Sequence, residues 1–265
     1  MRARPAHYAA AAKAYEASFC YAEGTPFWTS LVGWVAEALA LESTDALVDV
    51  GGGTGSFTSA LRAERSVVAD ALVVDPSEAM LAQAAARRGL RTVVSGALPF
   101  FEERADALRA GAAAPMDKIL FKEVVHHFDA ATFDSIAALM AQTLRPGSGR
   151  MLIVTRPQDV EYPLWPAARR TWRKNQPPAS LYETALSDAG FAATTSERRF
   201  RWELPRDAWF DHVRARAWST FAAENFDDVA LAEGIAEAER EAGDDETLCF
   251  DEVMLFIEAR LDVDA

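Results

Sequence analysis

Cysteine is almost missing from this chain: Cys20 and Cys249 are the only two among 265 residues. Their positions give neither metal-ligand spacing nor a disulfide framework, so no metal is expected and a reducing, cytoplasmic setting is the simpler reading. Long apolar runs are missing too. Nothing approaches the roughly twenty residues that cross a bilayer. Arg2, Arg4 and Lys13 among alanines give residues 1–14 a faint organelle-targeting character, but no signal-peptide core follows. Positive charge is scarce, with 27 basic against 40 acidic residues and a formal charge of −13. A surface with that balance repels phosphate backbones and anionic membranes, which argues against nucleic-acid and membrane partners. Internal repeats are absent, and low complexity is confined to alanine patches such as residues 9–12. Half of the residues are hydrophobic, enough for one large α/β domain, alone or with a lid, as a monomer or homodimer.

Against these absences, one stretch organises the rest: Leu-Val-Asp-Val-Gly-Gly-Gly-Thr-Gly-Ser-Phe-Thr at residues 47–58. An apolar β-type run, a glycine turn and helix-compatible sequence predict a strand, a tight turn and a helix N-terminus. Glycine lacks a Cβ, so Gly51, Gly53 and Gly55 let a polar ligand approach the backbone and the free N–H groups of the next helix. A dinucleotide fingerprint needs Gly-x-Gly-x-x-Gly, but Ser56 stands at the third glycine. The register that fits is Asp49-x-Gly51-x-Gly53-x-Gly55. It resembles the first motif of the class I S-adenosylmethionine (SAM)-dependent methyltransferases, in which the acidic residue lies near the methionine part of the cofactor. Residues 66–74 read as the second strand, ending at Asp75, where a doubly wound sheet grips ribose hydroxyls. Pro76-Ser77-Glu78-Ala79-Met80-Leu81 is similar to the family's Asp-x-Ser-x-x-Met-Leu pattern, which implies that Met80 lies against adenine. Residues 91–94 are the third strand, and Ser95-Gly96-Ala97 opens a loop. The family often has Asp here for the adenine amino group, so Ser95 or the backbone of Ala97 takes that contact; Phe100 and Phe101 wall the pocket or only pack.

The fourth strand, residues 118–121, runs into Lys122-Glu123-Val124-Val125-His126-His127-Phe128, similar to the family's fourth motif. The C-terminal ends of parallel strands face the ligand crevice, which puts Lys122 and Glu123 near the methyl group. Lys122 therefore counts as both a cofactor and a catalytic candidate. His126 and His127 are candidate general bases because imidazole titrates near neutrality. Adjacent helical residues diverge by about 100°, so only one of the two faces the substrate. In the family the second of such a pair commonly packs, which favours His126. An amphipathic helix over residues 133–144 leads through Leu-Arg-Pro-Gly to the strand 151–155, another family hallmark, and Arg156 just beyond reaches toward the crevice.

The flanking parts carry less signal. Residues 5–41 are helical in pattern, split by Glu23-Gly24-Thr25-Pro26, with Thr25 an N-cap and Pro26 at the first helical position. Phe27, Leu31, Trp34, Val35 and Ala38 fall on one face. Tyr15 and Tyr21 belong to a segment that in the family often folds over cofactor and substrate. Residues 157–179 form a proline-broken, basic-aromatic connection. A helix over 181–189, closed by Gly190, precedes a strand over 191–203, and an antiparallel last strand covers 249–261. Between these strands residues 205–244 form an insertion with helices over 206–221 and 227–241, the first carrying Arg214, Trp218 and Phe221 on one side, with Arg216 nearby. This part has a looser likeness to trans-aconitate-type methyltransferases.

The expected fold is thus α/β, a doubly wound, seven-stranded, mostly parallel Rossmann-like sheet with an antiparallel last strand. Residues 1–41 would be a helical cap, 42–204 with 245–265 the core, and 205–244 a lid. The resemblance implies methyl transfer from SAM to a small molecule with a carboxylate, amine, phenol or thiol acceptor. The candidate substrate contacts are Tyr15, Tyr21, His126, Arg156, Arg214 and Trp218, and the candidate catalytic residues Lys122, Glu123 and His126. A non-catalytic SAM-binding scaffold and a nicotinamide-dependent oxidoreductase are the competing readings.

Overall fold

Seven strands pair into one sheet in the computed structural model, which describes residues 19–261. They are β1 (Leu47–Val50), β2 (Ala71–Asp75), β3 (Leu90–Val94), β4 (Lys118–Lys122), β5 (Arg150–Thr155), β6 (Phe191–Pro205) and β7 (Thr247–Leu261). Their order is β3-β2-β1-β4-β5-β7-β6. The first five pair in parallel, and β7 runs antiparallel to both neighbours. Strand order reverses between β1 and β4, and in such a sheet ligands bind beyond the strand ends at that switch point.

Nine α-helices lie among the described residues: α1 (Pro26–Ala38), α2 (Ser56–Glu64), α3 (Glu78–Ala85), α4 (Ala97–Arg109), α5 (Ala130–Thr143), α6 (Pro166–Asn175), α7 (Ala179–Asp188), α8 (Arg206–Arg214) and α9 (Asp228–Glu241). The Thr25 hydroxyl accepts from the Trp28 N–H at 3.3 Å and caps α1, whose first residue is Pro26. None of these helices is long and apolar enough to cross a membrane.

Several boundaries differ from those the sequence pattern predicts. β2 begins at Ala71 because the Arg62 guanidinium donates to the carbonyls of Val67 and Ala69 and holds the preceding residues as a loop. The expected loop at Ser95-Gly96-Ala97 is the start of α4, with extended Gly96 as its N-cap. A helix, α6, opens at Pro166 inside the proline-broken connection. The helix expected over 206–221 stops at Arg214, since Arg216 turns to φ +52 and ties its guanidinium to the Phe226 carbonyl at 2.8 Å.

Side chains alternate across the sheet. Leu47, Leu120, Leu152, Val154 and Phe256 face one layer, made by α1, α2, α6, α8 and α9. Val48, Val50, Ile119, Phe121, Ile153 and Ile257 face the other, made by α4, α5 and α7. All seven tryptophans are in or against the first layer.

Candidate active site

The ends of β1, β2 and β4 open into a cavity of about 390 Å³ with a mainly apolar lining. Its floor is the glycine turn. Gly51 sits at φ +76, and a Cβ there would lie 2.4 Å from the Val124 side chain. Gly53 is also left-handed, at φ +55, but a Cβ on it would meet nothing within 4 Å, so its backbone faces open space. Gly51 and Gly53 line the cavity as expected; Gly55 does not, since its Cβ position points at Leu90, 2.6 Å away. Asp49 is fully buried. One of its carboxylate oxygens accepts from the Thr58 hydroxyl at 2.5 Å, and the other has no hydrogen-bond partner. Burial raises its pKa to about 6, against the opposing pull of the Thr58 bond and the Lys122 charge.

Asp75 accepts from the Gly53 N–H at 3.1 Å and from the Ser77 N–H at 2.8 Å. Burial raises its pKa, and these two bonds oppose the rise. Each oxygen retains a lone pair for a further donor. Met80, Ser95 and Ala97 all line the same cavity. Ala97 is the first residue of α4, where the backbone N–H groups have no carbonyl within the helix. Phe101 stacks on Phe121 beneath the other face of the sheet, Phe100 packs edge-on against Phe101, and neither is part of the lining.

At the end of β4 the Lys122 ammonium lies over the rings of Phe57 (5.0 Å) and Tyr21 (5.5 Å). Burial pushes its pKa down to about 8, with Asp49 pulling up and Arg156 down. The next residue, Glu123, is left-handed at φ +56, a conformation that costs a non-glycine residue of order 1 kcal/mol. That turn sends its carboxylate to Arg156. Arg156 is not available to an acidic substrate. It is 2% exposed, and besides Glu123 it donates to Glu252 at 2.7 Å, to the Tyr162 hydroxyl at 3.0 Å and to the Tyr21 hydroxyl at 3.3 Å. Its guanidinium also stacks 5.1 Å from Trp218. Its pKa stands well above the ordinary value, because Glu252 and the surrounding tyrosines outweigh the burial that alone would lower it.

Both His126 and His127 line the cavity, with ring centroids 4.2 Å apart. The expectation that only one would face it assumed a regular α-helix, whereas residues 125–127 form a single 3₁₀ turn. Tyr21 and Trp218 line the cavity as expected. Arg214 does not: it pairs with Asp211 and Glu239 on the outside of the insertion, and Arg216 is consumed by Asp228 and two carbonyls. Tyr15 lies outside the described residues.

Trp28, Trp172, Asn175 and Gln176 also line the cavity, and the sequence reading did not select them. Glu252, which anchors Arg156, was missed as well. Its register in β7, in phase with the inward Met254 and Phe256, was the available signal. Among the described residues no cluster of His, Cys, Asp and Glu is arranged to hold a metal ion.

Residues 47–147 match the family model of a methyltransferase domain. This segment is a class I SAM-dependent methyltransferase domain. The methyltransferase fold extends beyond it, as solved structures show. The YcgJ protein of Bacillus subtilis is 15% identical over 88% of this chain and 99% of its own, with a TM-score of 0.56. The cyclopropane synthase MmaA2 of Mycobacterium tuberculosis is 18% identical over 92% of this chain and 88% of its own, with a TM-score of 0.55. Phosphoethanolamine N-methyltransferase 2 of Haemonchus contortus, in complex with SAM, is 16% identical over 94% of this chain and 56% of its own, with a TM-score of 0.55. At these identities the likeness is one of fold. A comparison with curated proteins returned no match.

Proposed function

We propose that the chain is an enzyme that methylates a small molecule inside this cavity and releases S-adenosylhomocysteine. The observation that carries the reading is the continuity of one cavity, from the glycine turn and Asp75 to the end of β4 and on to Trp218. SAM supplies an activated methyl group on a sulfonium centre. The buried Asp49 oxygen without a partner and the open backbone at Gly53 are what a polar cofactor tail would complete, Asp75 suits ribose hydroxyls, and Met80, Ser95 and Ala97 suit adenine. Such a site needs mainly to hold an acceptor close and in line. A base is needed only for an acceptor that carries a proton near neutral pH. His126 stands in the wall for that role, as does Lys122, whose lowered pKa brings its neutral amine within reach.

In this reading residues 205–244 and the segment through Tyr21 close over the cavity as lid and cap, around a core of residues 42–204 and 245–265. A cytoplasmic setting suits a chain whose Cys20 and Cys249 are not joined in a disulfide. Calorimetric titration of the full chain with S-adenosylhomocysteine, beside NAD, tests the proposal. Micromolar binding of the first alone is expected; binding of NAD instead, or of neither, would overturn it.

A further inference from the structure

Besides the Asp49 oxygen, four polar side-chain groups in the cavity wall are buried without a hydrogen-bond partner: Glu123 Oε1, Asn175 Nδ2, Gln176 Oε1 and Trp218 Nε1. Each such group costs on the order of 1–3 kcal/mol when left unpaired in a protein interior, so four in one lining point to an occupant that pairs them. They come from three separate places: the strained turn after β4, the C-terminal end of α6 and the extended residue before Ser219. Around them stand the rings of Tyr21, Trp28 and Trp172.

The charge pattern selects among occupants. Lys122 and Arg156 are the lysine and arginine of the lining. The second is locked between Glu123 and Glu252, and the first faces the Asp49 charge and two aromatic rings. With both of these cations engaged and Glu123 beside them, the acceptor end of the cavity disfavours a carboxylate or phosphate.

We infer that the methyl acceptor is an amine on a flat apolar body, its N–H donated to the open oxygen of Glu123 and its neutral polar substituents paired with Asn175, Gln176 and Trp218. The inference rests on the methyl-transfer reading above. In the reaction the nitrogen lone pair forms the N–C bond while the electron pair of the breaking C–S bond returns to sulfur, and the proton shed by nitrogen passes to Glu123.

The test is ligand-observed NMR and calorimetry on the full chain saturated with S-adenosylhomocysteine, using tryptamine, indole-3-acetate and tryptophol, which share one ring system and differ in the terminal group. Tryptamine is expected to bind about tenfold more tightly than either of the others, the size of one charge-assisted hydrogen bond. E123Q should remove that preference, and Gln176→Leu should weaken tryptamine about fivefold while affinity for S-adenosylhomocysteine stays within about twofold in both. If E123Q does not fold, Gln176→Leu decides. Equal or tighter binding of the acid or the alcohol, or no saturable tryptamine binding, overturns the inference. Failure of S-adenosylhomocysteine itself to bind is a different result and overturns the methyl-transfer reading instead.

Discussion

The two faces of the sheet are built from different materials. Under α4, α5 and α7 the core is Val, Ile, Leu, Met, Ala and Phe, with Tyr182, and it contains no charged side chain and no tryptophan. The opposite face holds all the tryptophans, and Asp49, Lys118, Arg156 and Glu252 are buried in its register. A face made almost entirely of apolar contacts lowers free energy directly, since nearly every side chain leaves water without taking a charge with it; the hydroxyls of Tyr182 and Thr155 are buried polar exceptions. The tryptophan face sequesters charges whose burial is unfavourable unless each is paired. Its large rings supply the apolar area that offsets this and leave room for a ligand. Stability and chemistry are thus divided between the two sides of one sheet.

Breaking each side should give a different signature. Arg156→Met leaves the carboxylates of Glu123 and Glu252 buried without their cation and should cost about 3–5 kcal/mol in urea unfolding, with methyl transfer lost. Adding Glu252→Gln should recover part of the stability and none of the activity. On the other face, Phe133 is fully buried and packs edge-on against Tyr182 at 5.0 Å. Phe133→Ala should cost about 3–4 kcal/mol by leaving a cavity. Its affinity for S-adenosylhomocysteine, measured on the folded protein, should not change. Lost affinity there would mean that the faces are not independent.

A smaller effect follows from Asp49. Its carboxyl titrates near 6 in the folded protein against an ordinary value of 3.8, so between these values the folded state binds the proton more firmly than the unfolded chain. Stability from this group is therefore greatest below pH 4 and falls as pH rises to about 6, by up to about 3 kcal/mol. Lys122 works in the opposite sense at high pH. Its folded value of about 8 lies below the ordinary 10.5, so stability from it rises with pH across that interval. Melting temperatures of the wild type and Asp49→Asn across pH 4 to 7 isolate the carboxyl. The wild type should lose ground to the variant as pH rises, and parallel curves would show that the buried charge carries no such penalty.

How legible each part was follows from the range of the interactions that set it. The strand-turn-helix at Asp49 to Ser56 and the carboxylate at Asp75 rest on local rules, glycine conformation and strand-end position, and the sequence pattern located both. Arg156 did not yield to local reading. A basic residue after a strand looks available, and what occupies it, Glu252, is 96 positions away and brought alongside by the antiparallel pairing of β5 and β7. Arg214 failed similarly, because its partner Glu239 lies on the next helix. α6 was hidden because prolines flank a short arginine-rich run whose buried positions, Ala168 and Trp172, make only one helical repeat. The pair His126 and His127 was judged by α-helical geometry where the chain makes one 3₁₀ turn.

The smallest expected effect bears on where the two faces meet the ligand. Asp75→Ala should weaken S-adenosylhomocysteine by about 1–2 kcal/mol, the size of a charge-assisted hydrogen bond. Asp75 also organises the apo turn through Gly53 and Ser77, so affinity alone does not separate a ribose contact from a slackened floor. Adenine, which lacks the ribose, separates them. If Asp75 grips ribose, the variant should bind adenine as well as the wild type does and lose only the ribose-bearing ligand. If Asp75 acts through the turn, adenine and S-adenosylhomocysteine should weaken together, because Gly53 and the α4 N-terminus border one cavity. The first outcome would place the sugar at the end of β2, while the second would make Asp75 a positioning residue and leave the ribose to other donors and acceptors in the wall.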